Sequence, residues 1–150
     1  LPKSLFAISL TGMLNSVFPL IAFTAWTILL VLTVASFRSI QVLLGQKKSN
    51  EFPAWVQHGS DLYWRINRAH LNCVETLPIF GVLVLTFLVS GYQNDTFDLL
   101  AWIVFGARIL QTSAHLSGGG VWNVNVRFAG FLIQHISFAT MLVILVRSLL

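Results

Sequence analysis

Charge is what this chain has least of. Only 9% of its 150 residues are charged, nine Lys or Arg and five Asp or Glu, against about 25% in an ordinary soluble domain. With 56% hydrophobic residues and a mean hydropathy of +0.80, no soluble fold of this length hides so much apolar surface, and the class is integral membrane protein. Cysteine is nearly missing as well. The single Cys73 excludes an intrachain disulfide and any multi-cysteine metal site, and reads as a small buried apolar residue. Long basic runs are absent: the net charge of +4 and pI near 9.9 come from scattered residues, with nothing longer than Lys47-Lys48. No nucleic-acid motif accompanies them, so the excess is read as basic flanks of membrane helices. His58, His70, His115 and His135 lack a metal-ligand spacing such as HExxH, so no metal is expected. The glycines at 118–120 lack the Lys and Ser/Thr of a phosphate loop and read as a flexible turn. There is no internal repeat and no second domain, so residues 1–150 are taken as one unit.

What remains are four apolar stretches, and a span needs roughly 20 such residues to cross a hydrocarbon core of about 30 Å. The first contains the uncharged run Val17 to Phe37 and is expected to continue as a helix towards Leu44, with Pro19 marking a kink or the helix start. It is far longer than a signal-peptide core, so it is read as a retained span. The chain begins at Leu1 rather than Met, which places the expected natural start upstream. The stretch from Gly45 to Pro53 is a polar loop, and Ser60 or Asp61 is expected to cap the second helix. The second span runs through Thr76 to Asn94, and Gly91 to Asp98 reads as an acidic turn. The third is expected from about Phe97 to Leu116 and the fourth from about Asn125 to Leu149.

Loop charge predicts orientation. The first loop and its flanks carry Arg38, Lys47, Lys48, Arg65 and Arg68, and the third loop adds Arg127. Asp95 and Asp98, offset by Lys3 and Arg147, lie on the other side. The positive-inside rule puts both basic loops in the cytoplasm.

The second span opens on a concentrated polar stripe. Wound as a helix, Arg65, Arg68, Asn72 and Glu75 fall at about 0°, −60°, −20° and −80° around the axis. Ionisable groups at the mouth of a membrane helix are costly facing lipid, so they face a partner helix or a polar cavity. Two readings stand. The stripe is a polar network between helices, with Glu75 paired to an arginine. Alternatively it is a pocket for a small zwitterion, with arginines taking carboxylates, Glu75 an ammonium and Asn72 orienting the ligand. Asp61 lies on the same face and neutralises Arg65 in the first reading.

Helix three carries a second stripe, Arg108, Gln111 and His115, in register for a shared cavity or for a structural link from Arg108 to Glu75. His115 by itself reads as a hydrogen-bonding histidine before a general base. Arg127 is either a positive-inside flank or a guanidinium that stabilises a bound thiolate. Arg38 is either an anchor or a ligand contact. Gln134 and His135 are expected to serve hydrogen bonds between helices.

The run Arg65-x-x-Arg68-Ala69-His70-x-Asn72-x-x-Glu75, at the start of the second of four spans, resembles the signature of the MAPEG family, the membrane-associated proteins in eicosanoid and glutathione metabolism. The span layout, the loop after span one and the arginine opening span four extend the likeness over nearly the whole chain. The resemblance implies an all-α, integral membrane four-helix bundle, a homotrimer that binds glutathione as co-substrate at subunit interfaces near the cytoplasmic side. It implies that Arg38, Arg68, Asn72 and Glu75 hold the charged ends of glutathione, with Arg65 a secondary contact. Arg127 would face the sulfur as catalytic residue, and Arg108 and His115 would line the pocket. The implied function is a glutathione-dependent transferase or peroxidase that acts on lipophilic small molecules from the membrane lipid, in a bacterial inner membrane or the endoplasmic reticulum. A non-catalytic lipid- or glutathione-binding member is the alternative, and a small transporter using Glu75, Arg108 and His115 a weaker third. Leu71 stands where the prostaglandin synthase branch has an arginine, His115 where it has a tyrosine, and Phe128 where a small hydroxyl residue follows the arginine. The stretch from Gly118 to Val126 is also longer. These departures argue against eicosanoid synthesis more than against glutathione binding.

Overall fold

The computed structural model describes residues 15–53 and 56–150; Lys3, used above for orientation, lies outside them. Four helices account for most of the chain: α1 Val17–Leu43, α2 Asp61–Ser90, α3 Asp95–Ser117 and α4 Val121–Leu149. No strand occurs among the described residues. Each helix has the length and apolarity to cross a membrane. At 1.5 Å per residue they measure about 35–45 Å against a hydrocarbon core of about 30 Å. The short links 91–94 and 118–120 make α2, α3 and α4 successive antiparallel neighbours, and the longer loop 44–60 returns the chain from the end of α1 to the start of α2. The C-terminal ends of α1 and α3 therefore share one end of the bundle with the N-terminal ends of α2 and α4.

Local chemistry sets the boundaries. Pro19 sits in the first turn of α1, where its missing N–H has no intrahelical partner to lose, so it marks the helix start and not a kink. Ser60 caps α2, its hydroxyl accepting from the Tyr63 N–H at 3.2 Å, and Gly91 ends the helix at φ 67°. The acidic turn is shorter than the sequence suggests. Asn94 accepts from the Phe97 N–H at 2.9 Å and starts α3 at Asp95, so both aspartates lie in the first turn, where the helix dipole favours them. Helix α4 likewise begins at Val121 directly after the glycines. Arg127 thus stands nearly two turns into α4, about 10 Å from its start.

The packing is apolar outside and mixed inside, as a bilayer solvent demands. Helix α1 turns Pro19, Phe23, Thr27, Leu30 and Val34 inward at helical spacing. Phe80, fully buried, lies between Phe23 and Phe138 at 5.8 and 6.1 Å, and Phe87 stacks on Phe97 at 3.8 Å between centroids. These rings close the half of the bundle away from the basic loops. The half beneath the loops buries Arg108, Gln111, Thr112, His115, Thr76 and Gln134 instead. Helices α3 and α4 are the most extensively packed pair. Gly130 permits their approach: a Cβ there would stand 3.2 Å from the Ala107 carbonyl and 3.3 Å from Gln111 Cβ.

Candidate functional site

The buried arc of α2 is centred on Ala69, Cys73, Thr76, Phe80 and Phe87. The polar stripe straddles the edge of that arc. Asn72 and Arg65 are half-buried on its inner side, while Arg68 and Glu75 are exposed on its outer side. One stripe thereby presents two chemistries, an amide to the bundle and a cation and a carboxylate to its surface.

Asn72 meets helix three. Its side-chain amide lies 3.0 Å from Nε2 of His115 and donates to the Arg68 carbonyl at 3.0 Å. On the other side of the same imidazole, Arg127 Nη1 approaches Nδ1 at 3.1 Å. Residues of α2, α3 and α4 therefore converge on one buried ring. A guanidinium only donates, so Nδ1 accepts from Arg127, while the Asn72 amide lies against Nε2 and is held by its bond to the Arg68 carbonyl. Among the described residues this is the one polar contact of the Arg127 guanidinium, and no carboxylate neutralises it. Its remaining donors make no hydrogen bond among the described residues.

Beneath this trio lies a second layer. Arg108 is 2% exposed. Its Nη1 donates to Gln111 Oε1 at 2.7 Å, and its Nη2 donates to Gln134 Oε1 at 2.7 Å and to Thr76 Oγ1. The guanidinium also lies 5.3 Å from the centre of the Phe23 ring, and its Nε–H has no hydrogen-bond partner among the described residues. The link from Arg108 to Glu75 considered from the sequence is not made. Neutral oxygens accept from both Nη groups of Arg108, and among the described residues Glu75 forms no ion pair.

Arg38 lies elsewhere. Its Nε donates to the Tyr63 hydroxyl at 2.7 Å, and its guanidinium stands 5.6 Å from the Phe52 ring centre. His58 joins this group, with Nε2 3.2 Å from the same hydroxyl. Arg38 lines a cleft of about 250 Å³ with Asn67, His70 and Leu71, and a larger one of about 560 Å³ with Ser39, Ser49 and Phe52. Asn67 and His70 project from the face of α2 opposite to Asn72, so within the chain Arg38 is separated from the Asn72–His115–Arg127 group by the width of that helix. An apolar groove of about 410 Å³, lined by Pro78, Ile79, Val82, Leu83 and Leu142, begins less than a turn beyond Glu75.

Of the residues predicted for the site, Asn72, His115 and Arg127 are thus in contact and Arg108 lies directly behind them. Arg65 lies half-buried on the inner side near Asn72, Arg68 and Glu75 stand on the adjoining outer face, and Arg38 is apart. Sequence reasoning missed Thr76, although it follows Asn72 by one turn on the same stripe, and Tyr63, for which an aromatic at a helix start gave no polar signal. Gln134 was recognised as an inter-helix group, and the structure gives its partners. His135, expected in the same role, instead approaches the Phe131 carbonyl of its own helix at 2.8 Å.

The MAPEG family model matches residues 16–147, nearly the whole chain. No curated protein matches it.

Proposed function

The chain belongs to the MAPEG family, and from that premise we propose that it is a glutathione-dependent membrane transferase or peroxidase that binds the tripeptide as a thiolate. The observation that carries this reading is Arg127: a half-buried guanidinium where three helices meet, held by Nδ1 of His115 and, among the described residues, without a carboxylate. Lowering a thiol pKa from about 8.5–9 to near 7 requires roughly 2–3 kcal/mol. One guanidinium in a water-poor site is capable of supplying that. The thiolate sulfur then attacks an electrophilic carbon, displacing its leaving group or adding across its activated double bond, or it attacks a hydroperoxide oxygen. In the second case the O–O bond breaks to release the alcohol, and a second glutathione converts the resulting sulfenic acid to disulfide and water. Either substrate comes from the lipid along an apolar surface such as the groove at Pro78.

Arg65, Arg68 and Glu75 offer charge to the carboxylates and ammonium of glutathione, Asn72 orients it, and Arg108 and His115 back the sulfur end. Arg38 reaches the same ligand only from a neighbouring protomer, since α2 intervenes within its own. That separation, with a carboxylate at Glu75 left uncovered on a membrane helix, supports a site between subunits and hence the homotrimer. The basic end of the bundle, where the water-soluble thiol enters, is assigned to the cytoplasm.

The test is the ultraviolet absorbance band of a thiolate on adding glutathione to detergent-purified protein, wild type against Arg127→Ala. A band at neutral pH that vanishes in the variant supports the enzyme. Binding without a band makes the protein a non-catalytic member, and no binding refutes the glutathione reading.

A further inference from the structure

Two backbone carbonyls of the site are held by side chains that lie behind its surface. Thr76 Oγ1 donates to the Asn72 carbonyl at 2.9 Å, one turn back on α2. Gln111 Nε2 donates to the Arg127 carbonyl at 3.2 Å, across from α3 to α4. Both side chains accept from a single guanidinium, that of Arg108, through Nη2 and Nη1 respectively. Gln134 closes the ring by accepting from Nη2 while donating to Gln111 Oε1 at 3.2 Å and to the Gly130 carbonyl at 3.1 Å.

We infer that Arg108 is a positioning residue: acting through Thr76 and Gln111, it sets the register of Asn72 relative to Arg127, the two residues that clasp His115. The geometric part stands without any ligand; the catalytic consequence rests on the proposed role of Arg127 at the sulfur.

Three features support this over a contact with ligand or a contribution to stability alone. The Arg108 side chain is 2% exposed and both its Nη groups are engaged, so a bound molecule finds no free fork there. A buried cation satisfied only by neutral oxygens is a poor stabiliser, because desolvation offsets much of what its hydrogen bonds contribute. The fork is planar and rigid, so acceptors on two helices are held at a fixed angle, which a flexible ammonium does not do. The absence of a side chain at Gly130 then brings α4 close enough for Gln111 to span the gap.

The experiment uses Thr76→Val and Gln111→Leu, near-isosteric changes that each cut one arm and leave Arg108 in place. The first readout needs no ligand: the ring-nitrogen resonances of His115, assigned with His115→Phe, in detergent-solubilised protein. Gln111→Leu is expected to move the Nδ1 signal, which faces Arg127, and Thr76→Val the Nε2 signal, which faces Asn72. The second readout uses glutathione and its S-methyl derivative. Gln111→Leu should raise the pH midpoint of the thiolate band by about half a unit, roughly threefold less thiolate at a given lower pH, and leave affinity for the S-methyl compound unchanged. Thr76→Val should do the reverse, and Thr76→Ser should restore it. Unchanged His115 resonances in both variants would overturn the inference, as would losses confined to thermal stability. Should the wild type bind neither compound, the proposed function fails, and the His115 resonances still decide the positioning role.

Discussion

Gly130→Ala tests the α3–α4 contact on which the site depends. The added methyl would lie 3.2 Å from the Ala107 carbonyl oxygen and 3.3 Å from Gln111 Cβ. The first neighbour is helix backbone and has no rotamer to escape into. The second belongs to a side chain tied to Arg108, Gln134 and the Arg127 carbonyl. Relief must come from α4 moving away by a few tenths of an ångström. Two effects oppose each other. Alanine in a helix interior is favoured over glycine by about 0.5–1 kcal/mol, whereas overpacking costs about 1–3 kcal/mol. The balance is destabilising by about 1 kcal/mol, a fall of roughly 2–4 °C in melting temperature for a chain of this size.

Gly81 and Gly106 supply the controls, since a Cβ at either meets no heavy atom within 4 Å. Gly81→Ala and Gly106→Ala keep only the propensity effect and should stabilise the protein by about 0.5–1 kcal/mol. Thermal unfolding of all three variants in one detergent is the assay. The close approach inferred for α3 and α4 is refuted if Gly130→Ala melts as high as the controls. The same displacement lengthens the 3.2 Å bond from Gln111 to the Arg127 carbonyl, so thiolate formation should weaken in Gly130→Ala and not in the controls.

Other outcomes follow from single contacts. Phe80→Ala removes a fully buried ring from between Phe23 and Phe138 and should cost about 3–5 kcal/mol by thermal or detergent unfolding; a loss below about 1 kcal/mol would show that the aromatic layer is not well packed. Ser60→Ala deprives the Tyr63 N–H of its acceptor and should cost about 1 kcal/mol, with Ser60→Asp recovering it. Glu75→Gln touches an exposed residue without an ion pair among the described residues. A charge-assisted bond of about 1.5–3 kcal/mol to an ammonium predicts at least a tenfold loss of glutathione affinity in titration calorimetry. Unchanged affinity in that variant would remove Glu75 from the site.

The spans were legible because twenty-residue apolar runs carry their own length signal, and the α2 cap because Ser60 precedes the periodic pattern directly. The helix starts at Asp95 and Val121 were read several residues too late, for one physical reason. Polar residues near a helix N-terminus are also turn formers, and whether Asn94 acts as cap or loop residue depends on the Phe97 N–H that its side chain finds. The site was legible as two stripes of polar residues at helical period. Which member of a stripe touches which member of the other was not, because crossing geometry is set by small residues such as Gly130 and by apolar layers that carry no polar signature. Arg108 shows the limit. Its spacing made it a candidate partner for Glu75, yet about 100° of helix separates Glu75 from Thr76, and Thr76 is the residue on the inner side.

That 100° step also accounts for the division of labour along α2. A helix in a four-helix bundle buries one arc, and a stripe centred in it would be engaged by internal hydrogen bonds, as both Nη groups of Arg108 are. A stripe centred on the far side would present bare charge to lipid, at a cost of several kcal/mol for each group. Placed on the edge of the arc, the same four residues do both: Asn72 is tied to the bundle through His115 and Thr76, while Arg68 and Glu75 remain free at the surface. Under the proposed function, such a stripe would fix one end of glutathione against a rigid wall and leave its other charges to be met from outside the chain. Arg38 is held by Tyr63 on the opposite face of α2, so the proposed site between subunits requires it to act on a neighbour's ligand, and an Arg38→Ala variant that keeps full glutathione affinity would remove it from that site.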